Sequence, residues 1–155
     1  MTFLNLNKIY TSNLRPDEIN SFVSGRLSQK INFYSNSFYK GSITQNGFEF
    51  IAFAKSRIFP VKVSAKLGQH QTGSSLIINY RPTSRPFLLL IPIWTFFIYI
   101  WLTDSFTFNG EKVSFYVQSL FCLCGLILTN IFIFIAVVHS IITEKFIIEK
   151  ELNLK

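Results

Sequence analysis

Two long apolar runs in the second half of this chain dominate its hydrophobic pattern. Phe87 to Thr103 contains no charged residue, and Val113 to Thr143 lies between Lys112 and Glu144. At about 1.5 Å per residue the first run forms roughly 25 Å of helix, near the lower limit for a hydrocarbon core about 30 Å thick. The second run is longer than a bilayer requires. We therefore expect a transmembrane helical hairpin over residues 87–143, with one end of its second helix in water.

Several residues inside the hairpin suggest how its helices pack. Asn109-Gly110 predicts the turn between them, and Pro92 predicts a kink in the first helix. Asn130 lies deep in the second run, where an unpaired amide costs on the order of a few kcal/mol, so it requires a partner on the first helix or in another subunit. Small side chains at close spacing predict a helix-packing or oligomer face that also includes Asn130: Ser119, Cys122, Gly125 and Thr129.

The chain before the hairpin changes from a helical to an alternating pattern. Residues 16–30 begin with Pro16, Asp17 and Glu18 and then repeat apolar positions at three- and four-residue spacing, which predicts an amphipathic helix. Alternation and turn residues then predict strands over 38–44, 48–54, 61–67 and 75–81. Turns are expected at 45–47 and 68–74. The N-terminal stretch ends in a strand-like Lys8-Ile9-Tyr10, where a further short strand stays an alternative.

These elements predict an α+β membrane protein, with an N-terminal helix and a four-stranded antiparallel meander ahead of the hairpin. The predicted domains are a cytosolic α+β domain over 1–86, the hairpin over 87–143 and a cytosolic tail over 144–155. Whether the tail continues the second helix or forms a strand around 145–148 stays open. The connector 81–86 contains two prolines, which should hold the soluble domain close to the membrane surface.

The net charge of +7 is concentrated ahead of the hairpin. Eleven Lys/Arg but only three acids precede residue 87, whereas the turn 104–112 is poor in cations. By the positive-inside rule, Arg81 and Arg85 hold the start of the hairpin in the cytoplasm. We therefore expect a multi-pass protein of the inner membrane with both termini cytoplasmic. The basic surplus favours anionic lipid headgroups over nucleic acid as its counterpart.

The residue types required for catalysis are sparse. The whole chain has two histidines, only three acids precede residue 87, and nucleophile-elbow, phosphate-loop and zinc-protease motifs are absent from the sequence. Cys122 and Cys124 would point in nearly opposite directions on a helix and cannot bridge each other. The N-terminus lacks the pattern of a signal peptide. We expect no enzyme activity, no cofactor and no metal site.

Short motifs in the middle of the chain resemble those of small bacterial two-helix membrane proteins of the YcxB-like type. They are Phe38-Tyr39-Lys40-Gly41-Ser42-Ile43, Phe48-Glu49-Phe50 and Arg57-Ile58-Phe59-Pro60-Val61, followed by a strand that leads into an apolar hairpin. The resemblance covers residues 38 to about 102. It implies the fold and a membrane location, and it implies no activity or catalytic residue.

Three functional hypotheses follow. The first is a non-enzymatic inner-membrane protein whose cytosolic domain binds a protein partner or the lipid surface, with the hairpin as anchor and candidate homo-oligomer face. The second is a subunit of a small oligomeric channel or transporter, with Asn130 and the small residues between or lining the helices. The third is a membrane-tethered nucleotide or nucleic-acid sensor that uses the basic domain.

Overall fold

The computed structural model describes residues 6–27, 39–44, 46–53, 59–70, 73–103 and 107–154. The chain divides into two compact units. One consists of Met1–Thr83 together with Val137–Lys155, and the other of Ser84–Ala136. The first unit is an α+β structure, and the second is built from apolar helices.

A five-stranded antiparallel sheet forms the centre of the first unit. Its strands are β1 (Leu6–Ser12), β2 (Tyr39–Thr44), β3 (Gly47–Ala52), β4 (Val61–His70) and β5 (Gly73–Pro82). They lie in the order β1-β5-β4-β3-β2, so β2 to β5 form a meander and β1 adds to its far edge. The α+β class and the antiparallel meander are therefore confirmed.

The predicted number of four strands is wrong, because β1 is the fifth. It pairs with β5 along its whole length, from Leu6 opposite Tyr80 to Ser12 opposite Ser74. The sequence of β1 does not show the usual alternation of buried apolar and exposed polar residues. Lys8 lies on the same side of the strand as the buried Tyr10, whereas the apolar Ile9 lies on the other side and is 76% exposed. An exposed cation on an edge strand also opposes pairing with a further chain.

The turn predicted over 68–74 is also wrong in its length. β4 continues to His70 and β5 begins at Gly73, with these two residues paired, so only two residues connect the strands. Gln69 and Ser74 are polar residues, but they still pair across β4 and β5. Strand pairing depends on backbone hydrogen bonds, which do not require apolar side chains. The described ends of the other strands and of the helix differ from the predicted ends by up to three residues; residues 28–30, 38, 45 and 54 lie outside the described parts.

One face of the sheet is buried. Helix α1 (Pro16–Leu27) and the end of the last helix cover it, and α1 contributes the buried Ile19 and Val23. At the start of α1, the Arg15 amide donates to Glu18 Oε2 at 2.7 Å, which satisfies one of the free N–H groups there. The buried sheet residues alternate along each strand: Tyr10, Tyr39, Phe48, Phe50, Val61, Val63, Leu76, Ile78 and Tyr80.

The first apolar run forms two helical pieces, α2 (Arg85–Leu88) and α3 (Leu90–Leu102). The break at Leu89 follows from Pro92, which has no N–H to donate to the Leu88 carbonyl and whose ring crowds it. After α3 come the two-residue strands β6 (Thr107–Phe108) and β7 (Glu111–Lys112). Asn109 and Gly110 between them have φ of 52° and 82°, as a two-residue hairpin requires.

The second apolar run and the tail form one continuous helix, α4 (Phe115–Glu151), of 37 residues. At 1.5 Å per residue it is roughly 55 Å long. The helix ends in a left-handed residue, Asn153 (φ 48°), and the Leu154 amide donates to the Glu149 carbonyl at 2.9 Å. Residues 144–151 are thus helical, which decides between the two alternatives for the tail.

Candidate functional site

Two helical segments are long and apolar enough to cross a membrane, Arg85–Leu102 and Phe115–Glu151. Only 11% of the apolar window in the first and 17% in the second is buried, whereas the core helix of a soluble protein is mostly buried. Large apolar side chains are correspondingly exposed, among them Leu102 (79%), Leu128 and Phe132. So much apolar surface in contact with water is unfavourable, since each Å² costs about 25 cal/mol.

Within the helical unit, α3 and α4 approach closely at Gly125. A Cβ placed on Gly125 would overlap the ring of Phe97, so the absence of a side chain lets the ring lie against the α4 backbone. The same ring packs near Phe121, with 6.2 Å between the ring centroids. Gly125 therefore belongs to a contact between the two helices of one chain.

A polar cluster joins the end of α3 to the start of α4. The Gln118 side-chain amide donates to the carbonyl oxygens of Ile100 and Thr103, the latter at 2.8 Å, and the Trp101 indole N–H donates to Ser119 Oγ at 3.0 Å. Gln118 thereby bonds carbonyls at the C-terminal end of α3, where a helix has fewer backbone donors than acceptors. The apolar pattern does not distinguish Gln118 in advance, although a buried glutamine in an apolar run needs partners as much as Asn130 does.

The other residues of the predicted packing face bond locally or are buried. Cys122 is 1% exposed, Thr129 donates to the Gly125 carbonyl and Asn130 Nδ2 donates to the Leu126 carbonyl, both at 2.7 Å. Asn130 thus bonds within its own helix, and a further partner on the first helix or in another subunit stays a prediction. A helix leaves lone pairs on its carbonyl oxygens, and a short amide side chain reaches the one four residues back.

The two cations predicted to orient the hairpin are both exposed. Arg81 lies near the end of β5, where its Nε donates to Asn79 Oδ1 at 3.1 Å, and Arg85 is the first residue of α2. Arg81 opposes Lys62 on β4, so it belongs to the exposed face of the sheet.

A partly buried cluster in the α+β unit joins the end of α4 to β1. The Tyr10 hydroxyl donates to Glu149 Oε1 at 2.7 Å, and Lys145 Nζ lies 3.5 Å from the same oxygen. Glu144 and Tyr80 in the same region are both 0% exposed. Burial raises the pKa of Tyr80 above its ordinary value, and the Tyr10 hydroxyl and the two carboxylates add to this. Burial also raises the pKa of Tyr10 above its ordinary value, and the neighbouring Glu149 carboxylate raises it further.

These raised pKa values predict an alkaline loss of stability. Folded Tyr80 keeps its proton while the unfolded side chain ionises above about pH 10, so the unfolded state gains stability as pH rises beyond that value. We expect Tyr80→Phe to flatten the decline by up to about 1.4 kcal/mol per pH unit. Urea unfolding of both proteins in mild detergent at several alkaline pH values measures the difference. If the free energy of unfolding declines equally with pH in both proteins, the prediction is wrong.

Two features of the described residues bear on the binding of small ligands. Among them, no group of three His, Cys, Asp or Glu side chains could hold a metal ion. A cavity of about 20 Å³ lies in the α+β unit between α1, the sheet and α4, lined mainly by Phe22, Phe48, Phe50 and Ile148. This volume is about that of one water molecule, and the lining is apolar.

No known family model, curated protein or solved structure matches this chain. The resemblance to YcxB-like membrane proteins therefore stays a prediction. The chain is an α+β protein with a five-stranded antiparallel sheet and two helices that are long and apolar enough to span a bilayer.

Proposed function

We propose that this chain is a non-enzymatic integral protein of the bacterial inner membrane. In this proposal α3 and α4 form the transmembrane hairpin, both termini are cytoplasmic, and the α+β unit is a binding module at the membrane surface. The main support for the proposal is the difference in burial between the two ends of helix α4. Its first part is apolar and exposed, whereas Glu144, Ile148 and Leu152 near its end are buried in the α+β unit.

The length of α4 supports this division. A tilted helix needs about 20 residues to cross the hydrocarbon core, so the 37 residues of α4 leave more than three turns for water and protein. Lys145, Glu149 and Lys150 lie in those last turns, where charge is compatible with an aqueous environment. In this proposal the first part of α4 is the membrane anchor, and its last turns are part of the module's core.

Cysteine accessibility in intact cells tests the topology. In a chain with Cys122→Ser and Cys124→Ser, single cysteines replace three exposed residues: Thr11 on β1, Glu111 in the hairpin turn and Lys150 on α4. Glu111 is preferred to Gly110, whose positive φ disfavours any other residue.

We expect an impermeant thiol reagent to label the Glu111 site in intact cells, and the other two sites only after permeabilisation. Protection of all three sites would show that the hairpin does not cross the membrane. Labelling of Thr11 and Lys150 with protection of Glu111 would show the opposite orientation. Either result would overturn the proposal.

A further inference from the structure

The five-stranded sheet has a second face that the helices do not cover. We name it the outer sheet face and define it by the side chains that alternate with the buried ones on each strand. Its described members with charged or large apolar side chains are Ile9, Lys40, Glu49, Ile51, Lys62, Lys66, Ile77 and Arg81. Lys40, Lys66 and Arg81 are exposed, and Ile9 and Ile77 are 76% and 49% exposed.

Positive charge predominates on this face. Four of its described side chains are cations and one, Glu49, is an acid, which lies 2.7 Å from Lys62 Nζ. That pair is half-exposed on both sides, so it is worth little and leaves the face with a net positive charge. The cations therefore attract an anionic surface rather than neutralising one another.

Strand register brings three of the cations into one row. Lys40 opposes Ile51, Ile51 opposes Lys62, and Lys62 opposes Arg81. Neighbouring strands lie about 4.8 Å apart, so the row from β2 to β5 extends over roughly 15 Å. Because the row crosses four strands, its residues lie far apart in the sequence.

The side chains between the cations are aliphatic rather than aromatic. Ile51 lies within the row, and Ile77 lies beside Lys66. Among the described positions of the outer sheet face none is Phe, Tyr or Trp, because the aromatic residues of the strands point to the buried face. Surfaces that bind single-stranded nucleic acid stack bases on aromatic rings, which this face does not offer. Cations interspersed with aliphatic side chains suit the charged and apolar layers of a lipid interface.

We propose that the outer sheet face binds the anionic phospholipid headgroups of the membrane in which the hairpin is anchored, with Lys40, Lys62 and Arg81 as the main contacts. The inference rests on the proposed function, because it requires the hairpin in the bilayer. Arg81 precedes Arg85 by four residues, so the backbone keeps it within roughly 14 Å of the start of the predicted span. This tether supplies headgroups at high effective concentration, so weak contacts suffice.

The test uses the full chain in lipid nanodiscs, with Cys122→Ser and Cys124→Ser and a polarity-sensitive dye on a single cysteine. Ser42→Cys places the dye on the outer sheet face, and Ser21→Cys places it on the exposed side of α1 as a control. Discs of phosphatidylcholine alone are compared with discs that also contain phosphatidylglycerol. We expect a blue shift of the Ser42 dye only in the anionic discs, reversed by about 0.5 M salt.

Two triple variants distinguish binding through the outer sheet face from a general effect of the protein's net charge. The variant with Lys40→Gln, Lys62→Gln and Arg81→Gln should lose the shift, since each cation near an anionic surface favours the bound state about fivefold. The matched variant with Lys8→Gln, Arg15→Gln and Lys150→Gln removes the same charge from other exposed positions and should keep the shift.

Several results would overturn the proposal. One is equal emission of the Ser42 dye in both kinds of disc by a chain that is incorporated, which leaves the proposed function intact. Another is equal loss of the shift in both triple variants, which would indicate a diffuse charge effect. A shift produced by an oligonucleotide and stable at about 0.5 M salt would assign the face to nucleic acid. A chain that does not enter the discs would overturn the proposed function together with this inference.

Discussion

Ile78→Ala is expected to lower the free energy of unfolding by about 2–5 kcal/mol. Ile78 lies in the middle of β5, is 0% exposed and belongs to the buried face of the sheet. Its replacement removes buried methyl and methylene groups and leaves a cavity that neighbouring strands cannot fill. Urea titration of the full chain in mild detergent, followed by the near-ultraviolet circular dichroism of its tyrosines, measures the loss.

The adjacent residue provides a matched control. Ile77 is the same residue type on the same strand, but it points to the outer sheet face and is 49% exposed. Ile77→Ala should therefore change the stability by only about 0.5 kcal/mol or less. Equal losses from the two substitutions would contradict the assignment of the faces, because a register error of one residue exchanges them.

Gly125→Val is expected to destabilise the pairing of α3 and α4 by about 1–3 kcal/mol. The new side chain would occupy the space that the Phe97 ring fills, so the ring or the helix must move. Both tryptophans of the chain, Trp94 and Trp101, lie in α3. Their fluorescence during titration of the detergent-solubilised protein with sodium dodecyl sulfate therefore reports the separation of the helices.

Two further variants show whether the effect arises from this contact. Cys124→Val adds bulk to the neighbouring residue, which is exposed, and should have little effect. Phe97→Ala combined with Gly125→Val should cost less than the sum of the two single variants, because the clash is absent, with a coupling energy of about 1 kcal/mol or more. The proposed packing would be contradicted if the effects of Phe97→Ala and Gly125→Val on stability were additive. It would also be contradicted if Cys124→Val lowered the stability as much as Gly125→Val.

Much of the α+β unit could be predicted because its signals are local. The helix start at Pro16 to Glu18 and the alternation from Val61 to Ala65 appear within one turn or one strand of sequence. Such periodicity arises directly from helix and strand geometry. It also identified the two apolar helices, whose length and lack of charge do not depend on their neighbours.

Sequence periodicity predicted less about the helix contact, the polar cluster and the basic row. Small residues in an apolar run identified Gly125, but nothing local indicates that Phe97 is the ring against it. The sequence pattern did not indicate Gln118, because the carbonyls that it bonds lie at the end of another helix. The basic row on the outer sheet face was also missed, since Lys40, Lys62 and Arg81 become neighbours only through the strand register.

Local pattern was therefore sufficient for the type of most elements, for the turn at Asn109-Gly110 and for the uneven charge along the chain. Tertiary structure alone decided that β1 is the edge strand beside β5 and that α4 continues into the α+β unit. Tyr10 and Glu149 illustrate the reason, since their 2.7 Å hydrogen bond joins residues 139 positions apart. Contacts over such separations depend on which surfaces remain to be buried once the local elements exist, and periodicity carries no information about that.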